Sequence, residues 1–128
     1  MLANMTESYG KSVQTELAPL ARALRGAIPD VYDGFSALHG AALRDGALDT
    51  RTKELIALAL GVSHGCDGCI ASHARGAVKA GATRQEAAEA IGVNFLMDGG
   101  PATVYGPRAY AAFCEFYDAA HPQENAPE

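Results

Sequence analysis

The chain has 128 residues, of which 48% are hydrophobic and 20% charged, and its formal net charge is -5 at pH 7. This length is typical of one globular domain, and an acidic balance without a basic stripe excludes nucleic acid as an expected partner. No apolar run is long enough to span a membrane and the first residues lack a signal-peptide pattern, so we expect a cytoplasmic protein with no membrane partner.

Frequent alanine and scarce β-branched residues favour helices, and two amphipathic helices are predicted first. One covers residues 13–25, where Pro19 either starts the helix or kinks it. The next covers residues 30–45 and ends at Gly46. The apolar positions at helical spacing are Val13, Leu17, Leu20 and Leu24 in the first helix and Val31, Phe35, Leu38 and Leu43 in the second.

The third predicted helix is the most apolar of the chain. It opens near Asp49 or Thr50, either of which can cap a helix N-terminus. From Leu55 to Val62 it is apolar on every side. A helix that is apolar all round is buried, so we expect this one at the centre of the fold.

Clear start and stop signals bound the next two helices. The fourth runs from about residue 67 to about residue 80, where Gly81 provides a C-terminal break. The fifth opens at a capping box over residues 83–86. Its apolar positions are Ala87, Ala88, Ile91 and Phe95.

A sixth helix follows the sequence DGGP at residues 98–101 and ends near Ala120. The pair Gly106-Pro107 predicts a break inside it. No segment alternates between apolar and polar residues with a period of two, which is the pattern of a half-buried strand. The sequence therefore predicts an all-α fold of roughly six helices.

The segment HGCDGCIASH, residues 64–73, carries the most chemistry. Cys66, Cys69 and His73 have the spacing i, i+3, i+7, which places them on one face of a helix. Cys66 falls at or just before the helix N-terminus, where the positive end of the dipole lowers the pKa of a thiol. Cytoplasmic thiols stay reduced, which disfavours a structural disulfide, so the spacing indicates reversible dithiol chemistry.

Glu54 precedes Cys66 by twelve residues, on the apolar third helix. If the two helices form a tight hairpin, its carboxylate comes close to the thiols. Burial raises the pKa of a carboxyl group, so such a group can act as a base near neutrality. The alternative is a first-turn glutamate that only complements the helix dipole.

Other candidate residues have weaker patterns. His64 is an accessory candidate beside the cysteine pair, although a histidine before a turn is more often a loop residue with a local hydrogen bond. Cys114, in AAFCEF, fits a buried packing cysteine.

Metal binding is the main alternative to a redox function for the two cysteines. The pattern C-x2-C-x3-H offers three ligands and His64 a fourth, which leaves a metal-binding structural oligomer as an alternative. Structural zinc sites draw their ligands from two separated pairs, and the chain has no second pair. A thioredoxin fold is excluded because no βαβ pattern surrounds the cysteines. We therefore expect neither a metal nor a cofactor.

Residues 51–91, RTKELIALALGVSHGCDGCIASHARGAVKAGATRQEAAEAI, resemble the core of the carboxymuconolactone decarboxylase superfamily, and more narrowly the AhpD-like alkylhydroperoxidases. The signature of that branch is a glutamate, then C-x-x-C twelve residues later, then x-x-x-H. All four positions match here, as Glu54, Cys66, Cys69 and His73. The resemblance covers roughly residues 30–117, which we expect to be the core of a single domain spanning residues 1–128.

The resemblance implies an all-α homotrimer or homohexamer that reduces hydroperoxides. By analogy Cys69 is the peroxidatic thiol, Cys66 condenses with it to a disulfide, Glu54 is the base and His73 completes the proton relay. An external dithiol, such as a lipoyl group on a partner protein, returns the disulfide to the dithiol. Spacing alone instead suggests Cys66, nearer the helix start, as the more acidic thiol.

The chain departs from the AhpD-like pattern between its two cysteines. Some members have a histidine there, whereas this chain has Asp67 and Gly68. A carboxylate beside the thiols opposes thiolate formation by like-charge repulsion. A general thiol–disulfide oxidoreductase or redox sensor with weak peroxidase activity is therefore the second hypothesis. The decarboxylase branch lacks the cysteine pair, which disfavours a lactone decarboxylase.

Overall fold

The computed structural model describes residues 7–125, which form six α-helices and no strand. The all-α prediction is confirmed. The helices are α1 (Lys11–Ala27), α2 (Pro29–Leu43), α3 (Thr50–His64), α4 (Asp67–Lys79), α5 (Arg84–Asp98) and α6 (Ala102–Ala120), followed by a short 3-10 helix (Pro122–Asn125). Within the described residues, no helix combines the length and the apolar character needed to cross a bilayer.

The core lies among α3, α4, α5 and α6, and α3 and α4 share the most extensive contact. Its largest fully buried side chains are Leu58, Ile70 and Phe113. Much of the remaining core is alanine, which lets helix axes approach closely because the side chain is short. These alanines include Ala74, Ala77, Ala87, Ala109 and Ala112.

Local capping residues set the ends of the helices around the core. The Asp49 carboxylate accepts the Thr52 N–H at 2.8 Å, so Asp49 is the N-cap of α3. Gly65 ends α3 with a φ of 60°, a left-handed conformation that favours glycine. Thr83 and Glu86 form the predicted capping box of α5. These boundaries follow from hydrogen bonds within a few residues, which is why the sequence predicts them.

The prediction that α3 is buried on every side is wrong. Leu58 and Val62 are buried, but Ile56 is 47% exposed and Leu60 is 55% exposed. The two exposed residues are four apart and therefore share one face, while the other face packs on α4, α5 and α6. With Val93 and Met97 of α5 they line an apolar surface groove.

The predicted break at Gly106-Pro107 is also wrong, because α6 continues through it from Ala102 to Ala120. Pro107 lacks a backbone N–H and so removes one hydrogen bond near the start of the helix. The turns that follow keep their hydrogen bonds, and the helix continues. Gly106 is buried, and a Cβ there would lie 3.1 Å from Ile91 and 3.2 Å from Phe95. Glycine is thus required for close contact between α5 and α6, and it does not stop the helix.

Helices α1 and α2 form as predicted, but neither buries a side chain. Pro19 lies inside a continuous α1. Their apolar stripes face outward, and each of the following side chains is at least 44% exposed: Leu17, Leu20, Leu24, Val31, Phe35 and Leu38. The described residues leave this apolar surface uncovered.

Candidate active site

The two cysteines lie at the start of α4. Cys66 is the N-cap, as the spacing predicts, and Cys69 is in the first turn. They form a disulfide with their Cα atoms 5.2 Å apart, and the Cys69 N–H donates to Cys66 Sγ at 3.2 Å. Cys66 is half-buried whereas Cys69 is exposed. The bond closes within one helical turn, so opening it requires no change in how the helices pack.

The Glu54 carboxylate and the His73 imidazole form a hydrogen-bonded pair between α3 and α4. His73 Nδ1–H donates to Glu54 Oε1 at 2.6 Å, and Glu54 is only 7% exposed. The pairing leaves Nε2 as the free ring nitrogen of His73, one turn after Cys69. Glu54 lies beyond the first turn of α3, which contains no acidic residue, so the hypothesis that it only complements the helix dipole is wrong.

Gly76 makes room for this pair, and the sequence analysis did not identify it. A Cβ at position 76 would lie 2.5 Å from Glu54 Cδ and would overlap the carboxylate. Glycine inside a helix costs about 1 kcal/mol relative to alanine, so its presence in α4 needs a local reason. That reason is the approach of the Glu54 carboxylate to the α4 backbone.

His39 of α2 is a second residue that the sequence analysis missed. Its ring stacks on His73, with the ring centroids 5.8 Å apart and an angle of 13° between the planes. The centre of the Phe35 ring lies 6.2 Å from that of His39, and the two rings are tilted by 51°. The helical spacing of these two α2 residues was visible in the sequence, but no local pattern connected His39 with a residue 34 positions later.

Arg108 of α6 offsets the acidic residue between the cysteines. Its Nη1 lies 3.8 Å from Asp67 Oδ1, and its guanidinium carbon Cζ lies 5.0 Å from the ring centres of Tyr9 and Tyr105. Opposite charges at this distance reduce the repulsion that Asp67 exerts on a nearby thiolate. The unfavourable charge inferred from sequence therefore has a counter-ion from a distant helix.

His64 and Cys114 lie apart from the paired groups. His64 is the exposed last residue of α3, and no hydrogen bond joins it to Glu54, Cys66, Cys69 or His73. The prediction that Cys114 is fully buried is wrong, because this residue is half-buried. Cys114 accepts a hydrogen bond from Tyr110, which raises the pKa of Tyr110.

Among residues 7–125, no three His, Cys, Asp or Glu side chains converge as metal ligands would.

A surface groove between α1 and α4 reaches the backbone between the two cysteines. Its volume is about 700 Å³, and it extends to Gly68, where an added Cβ would lie 3.1 Å from Leu17 Cδ1 of α1. Apolar residues of α1 line one side, and cationic side chains lie around it: Lys11, Arg25 and Arg75. Among the described residues, none of these three cations forms an ion pair with a carboxylate.

The buried Glu–His pair and the C-x-x-C lie within the part of the chain that matches a known family. The sequence model of the carboxymuconolactone decarboxylase family matches residues 29–112, which include every residue of this arrangement. The chain belongs to the carboxymuconolactone decarboxylase family.

Relatives of this family member are similar over most of their length. An uncharacterised protein of Cupriavidus necator is 40% identical over 103 residues, which are 80% of this chain and 91% of that protein. The uncharacterised protein 4 in the cox locus of Paracoccus denitrificans is 42% identical over 85 residues, 66% of this chain and 77% of that protein. The apo crystal structure of a carboxymuconolactone decarboxylase family protein from Legionella pneumophila is 45% identical, covers 85% of this chain and 94% of its own, and has a TM-score of 0.74.

Proposed function

We propose that this family member is a cysteine-based hydroperoxide reductase, which cycles Cys66 and Cys69 between dithiol and disulfide. The observation that carries the proposal is the hydrogen bond between Glu54 and His73, one turn from an exposed cysteine on the same helix. A dithiol at a helix start, with a carboxylate–imidazole pair beside it, supplies both a nucleophile and a proton acceptor.

In the proposed reaction, Glu54 and His73 take the thiol proton of Cys69. The Cys69 thiolate then attacks the peroxide, so that an S–O bond forms as the O–O bond breaks, and the alkoxide leaves as an alcohol with a proton from the pair. The Cys66 sulfur then attacks the sulfenic acid, so that the S–S bond forms as the S–OH bond breaks, and the hydroxide takes the Cys66 thiol proton and leaves as water. Two thiols and one hydroperoxide thus give one disulfide, one alcohol and one water. An external dithiol restores both thiols by exchange.

The two cysteines are given different roles because their surroundings differ. Cys69 is exposed to a substrate and lies one turn from His73, which suits the attacking thiol. Cys66 is the N-cap, where backbone N–H groups stabilise a thiolate that must only reach its neighbour. The geometry therefore agrees with the roles that the family resemblance implies, although the N-cap favours ionisation of Cys66.

The proposed substrate is an organic hydroperoxide, and the proposed reductant is an external dithiol such as a lipoyl group on a partner protein. The groove between α1 and α4 supports an organic substrate because apolar side chains line the approach to Gly68. We place the reaction in the cytoplasm, where dithiol reductants are available. A homotrimer or homohexamer would cover the outward apolar stripes of α1 and α2.

General thiol–disulfide exchange is the second candidate function. The exposure of Cys69 favours it, because a thiolate of another protein could reach that sulfur as readily as a peroxide could. The two candidates differ in the oxidant, so the response to a peroxide alone separates them.

The direct test is the intact mass of the reduced protein before and after one equivalent of cumene hydroperoxide. We expect a loss of two hydrogen atoms, mapped by peptide analysis to Cys66 and Cys69, and recovery of the original mass with dihydrolipoamide. An unchanged mass with peroxide, together with rapid oxidation by a protein disulfide, would favour the exchange function. A subunit that carries one zinc ion would support the metal-binding alternative.

The role of the buried carboxylate is tested by Glu54→Gln. An amide cannot accept the proton that the pair takes from Cys69, so alkylation of the reduced protein by iodoacetamide at pH 7 should slow about tenfold or more. Glu89→Gln is the matched control, because Glu89 is exposed on α5 and bonds only its neighbour Gln85 among the groups described. Equal alkylation rates in both variants and the wild type would show that Glu54 takes no part in the proton transfer.

A further inference from the structure

His39 is the point at which α2 meets the candidate active site. Helix α2 buries no side chain, and most of its apolar residues face solvent. His39 is nevertheless half-buried, because its ring lies against the ring of His73. The angle of 13° between the planes makes this a stack of two imidazoles.

The His73 ring is thus held in two independent ways. At its edge, Nδ1 is fixed by the hydrogen bond to Glu54, which sets the position of the proton on the ring. At its face, the His39 ring limits rotation out of that plane. The Phe35 ring, 6.2 Å from His39, in turn supports the second imidazole. One hydrogen bond alone leaves a ring free to rock about it, whereas an edge contact and a face contact together fix the direction of the free Nε2.

We propose that His39 is a positioning residue, which fixes the orientation of the His73 ring, and therefore of Nε2, by stacking on the face of that ring. This inference rests on the proposed function only in that His73 takes part in proton transfer from Cys69. Stacked aromatic pairs contribute about 0.5–1.5 kcal/mol, which corresponds to a factor of about 2 to 12 in a rate that depends on the aligned ring.

The test compares His39→Ala with His39→Phe. Alanine removes the stack, whereas phenylalanine keeps an aromatic face without ionisable nitrogen atoms. Leu38→Ala is the matched control, because Leu38 is the adjacent α2 residue and is 63% exposed. All three proteins are prepared in the reduced form, and unfolding in urea confirms that each one is folded.

Two measurements report on His73 without any peroxide. One is the rate of Cys69 alkylation by iodoacetamide at pH 7, and the other is the proton NMR signal of the His73 Nδ1–H held by Glu54. We expect His39→Ala to slow alkylation about 2- to 12-fold and to broaden the N–H signal. His39→Phe should restore the rate to within about twofold of wild type and should sharpen the signal, and Leu38→Ala should change neither.

Two results would overturn the inference. If His39→Ala alkylates as fast as wild type and keeps a sharp N–H signal, the stack does not position His73. If His39→Phe behaves like His39→Ala, the aromatic face is not what matters. A wild-type protein that does not consume peroxide would count against the proposed function, and the two measurements on His39 would still decide its role.

Discussion

Cys69→Ser is expected to abolish the consumption of cumene hydroperoxide, with a fall in rate of about 1000-fold or more. Only a thiolate can attack the O–O bond, and a serine hydroxyl does not ionise near neutral pH. Cys69 is exposed whereas Cys66 is half-buried, so the proposed reaction assigns the attack on the substrate to Cys69. The measurement is peroxide loss over many turnovers with dihydrolipoamide as the reductant.

The two other cysteines provide the controls for this experiment. Cys114→Ser should keep wild-type turnover, because Cys114 lies in α6 near Tyr110 and forms no part of the disulfide. Cys66→Ser should stop turnover but leave Cys69 able to form a sulfenic acid, which dimedone traps once per subunit. If Cys69→Ser were the variant trapped by dimedone and Cys66→Ser were not, the two roles assigned here would be exchanged.

Gly76→Ala should both destabilise the protein and slow thiol alkylation. The added Cβ would occupy the space of the Glu54 carboxylate, which must then leave His73 or push α3 away from α4. Breaking a buried pair typically costs 3–5 kcal/mol, so we expect the free energy of unfolding to fall by about 3 kcal/mol. Urea unfolding measures this change, and the rate of alkylation by iodoacetamide reports on the loss of Glu54 as the proposed base.

Gly92→Ala is the matched control for Gly76→Ala. Gly92 also lies within a helix, but a Cβ there would meet nothing within 4 Å. Alanine is the better helix former, so this variant should be neutral or up to about 1 kcal/mol more stable.

The double variant Glu54→Ala/Gly76→Ala tests whether the cost of Gly76→Ala comes from the overlap with the Glu54 carboxylate. Removing the carboxylate removes the overlap, so the second substitution should cost far less than it does alone. A Gly76→Ala protein as stable as Gly92→Ala would show that position 76 tolerates a side chain and that the account of the pair is wrong.

The sequence allows prediction of those structural features that depend on residues within one or two helical turns of each other. The N-cap position of Cys66 and the capping box of Thr83 were predicted because they depend on residues at most three positions apart. The approach of Glu54 to α4 was anticipated from the short link between the helices. The hydrogen bond to His73 was not, because periodicity does not give the rotation of one helix about its axis relative to the next.

Features contributed by distant helices could not be predicted in this way. His39 comes from α2 and Arg108 from α6, and neither has a local pattern that assigns it to the dithiol. The outward stripes of α1 and α2 illustrate the same limit. Periodicity predicts that a helix has an apolar face, but the face looks the same whether another part of the chain or a separate molecule covers it. Pro107 likewise interrupts a pattern without interrupting a helix that tertiary contacts support.

Because Cys66 is the N-cap of α4, the oxidation state of its sulfur affects a backbone hydrogen bond of the helix. In the disulfide, the Cys69 N–H donates to Cys66 Sγ. A free thiolate at the same position is a charged acceptor, and it would hold that amide hydrogen more tightly than a neutral sulfur does. The Cys69 amide hydrogen should therefore exchange with deuterium more slowly in the thiolate form than in the disulfide form. Its exchange rate reports the redox state of the cysteine pair, even in a mixture of the two forms, and neither thiol has to be labelled.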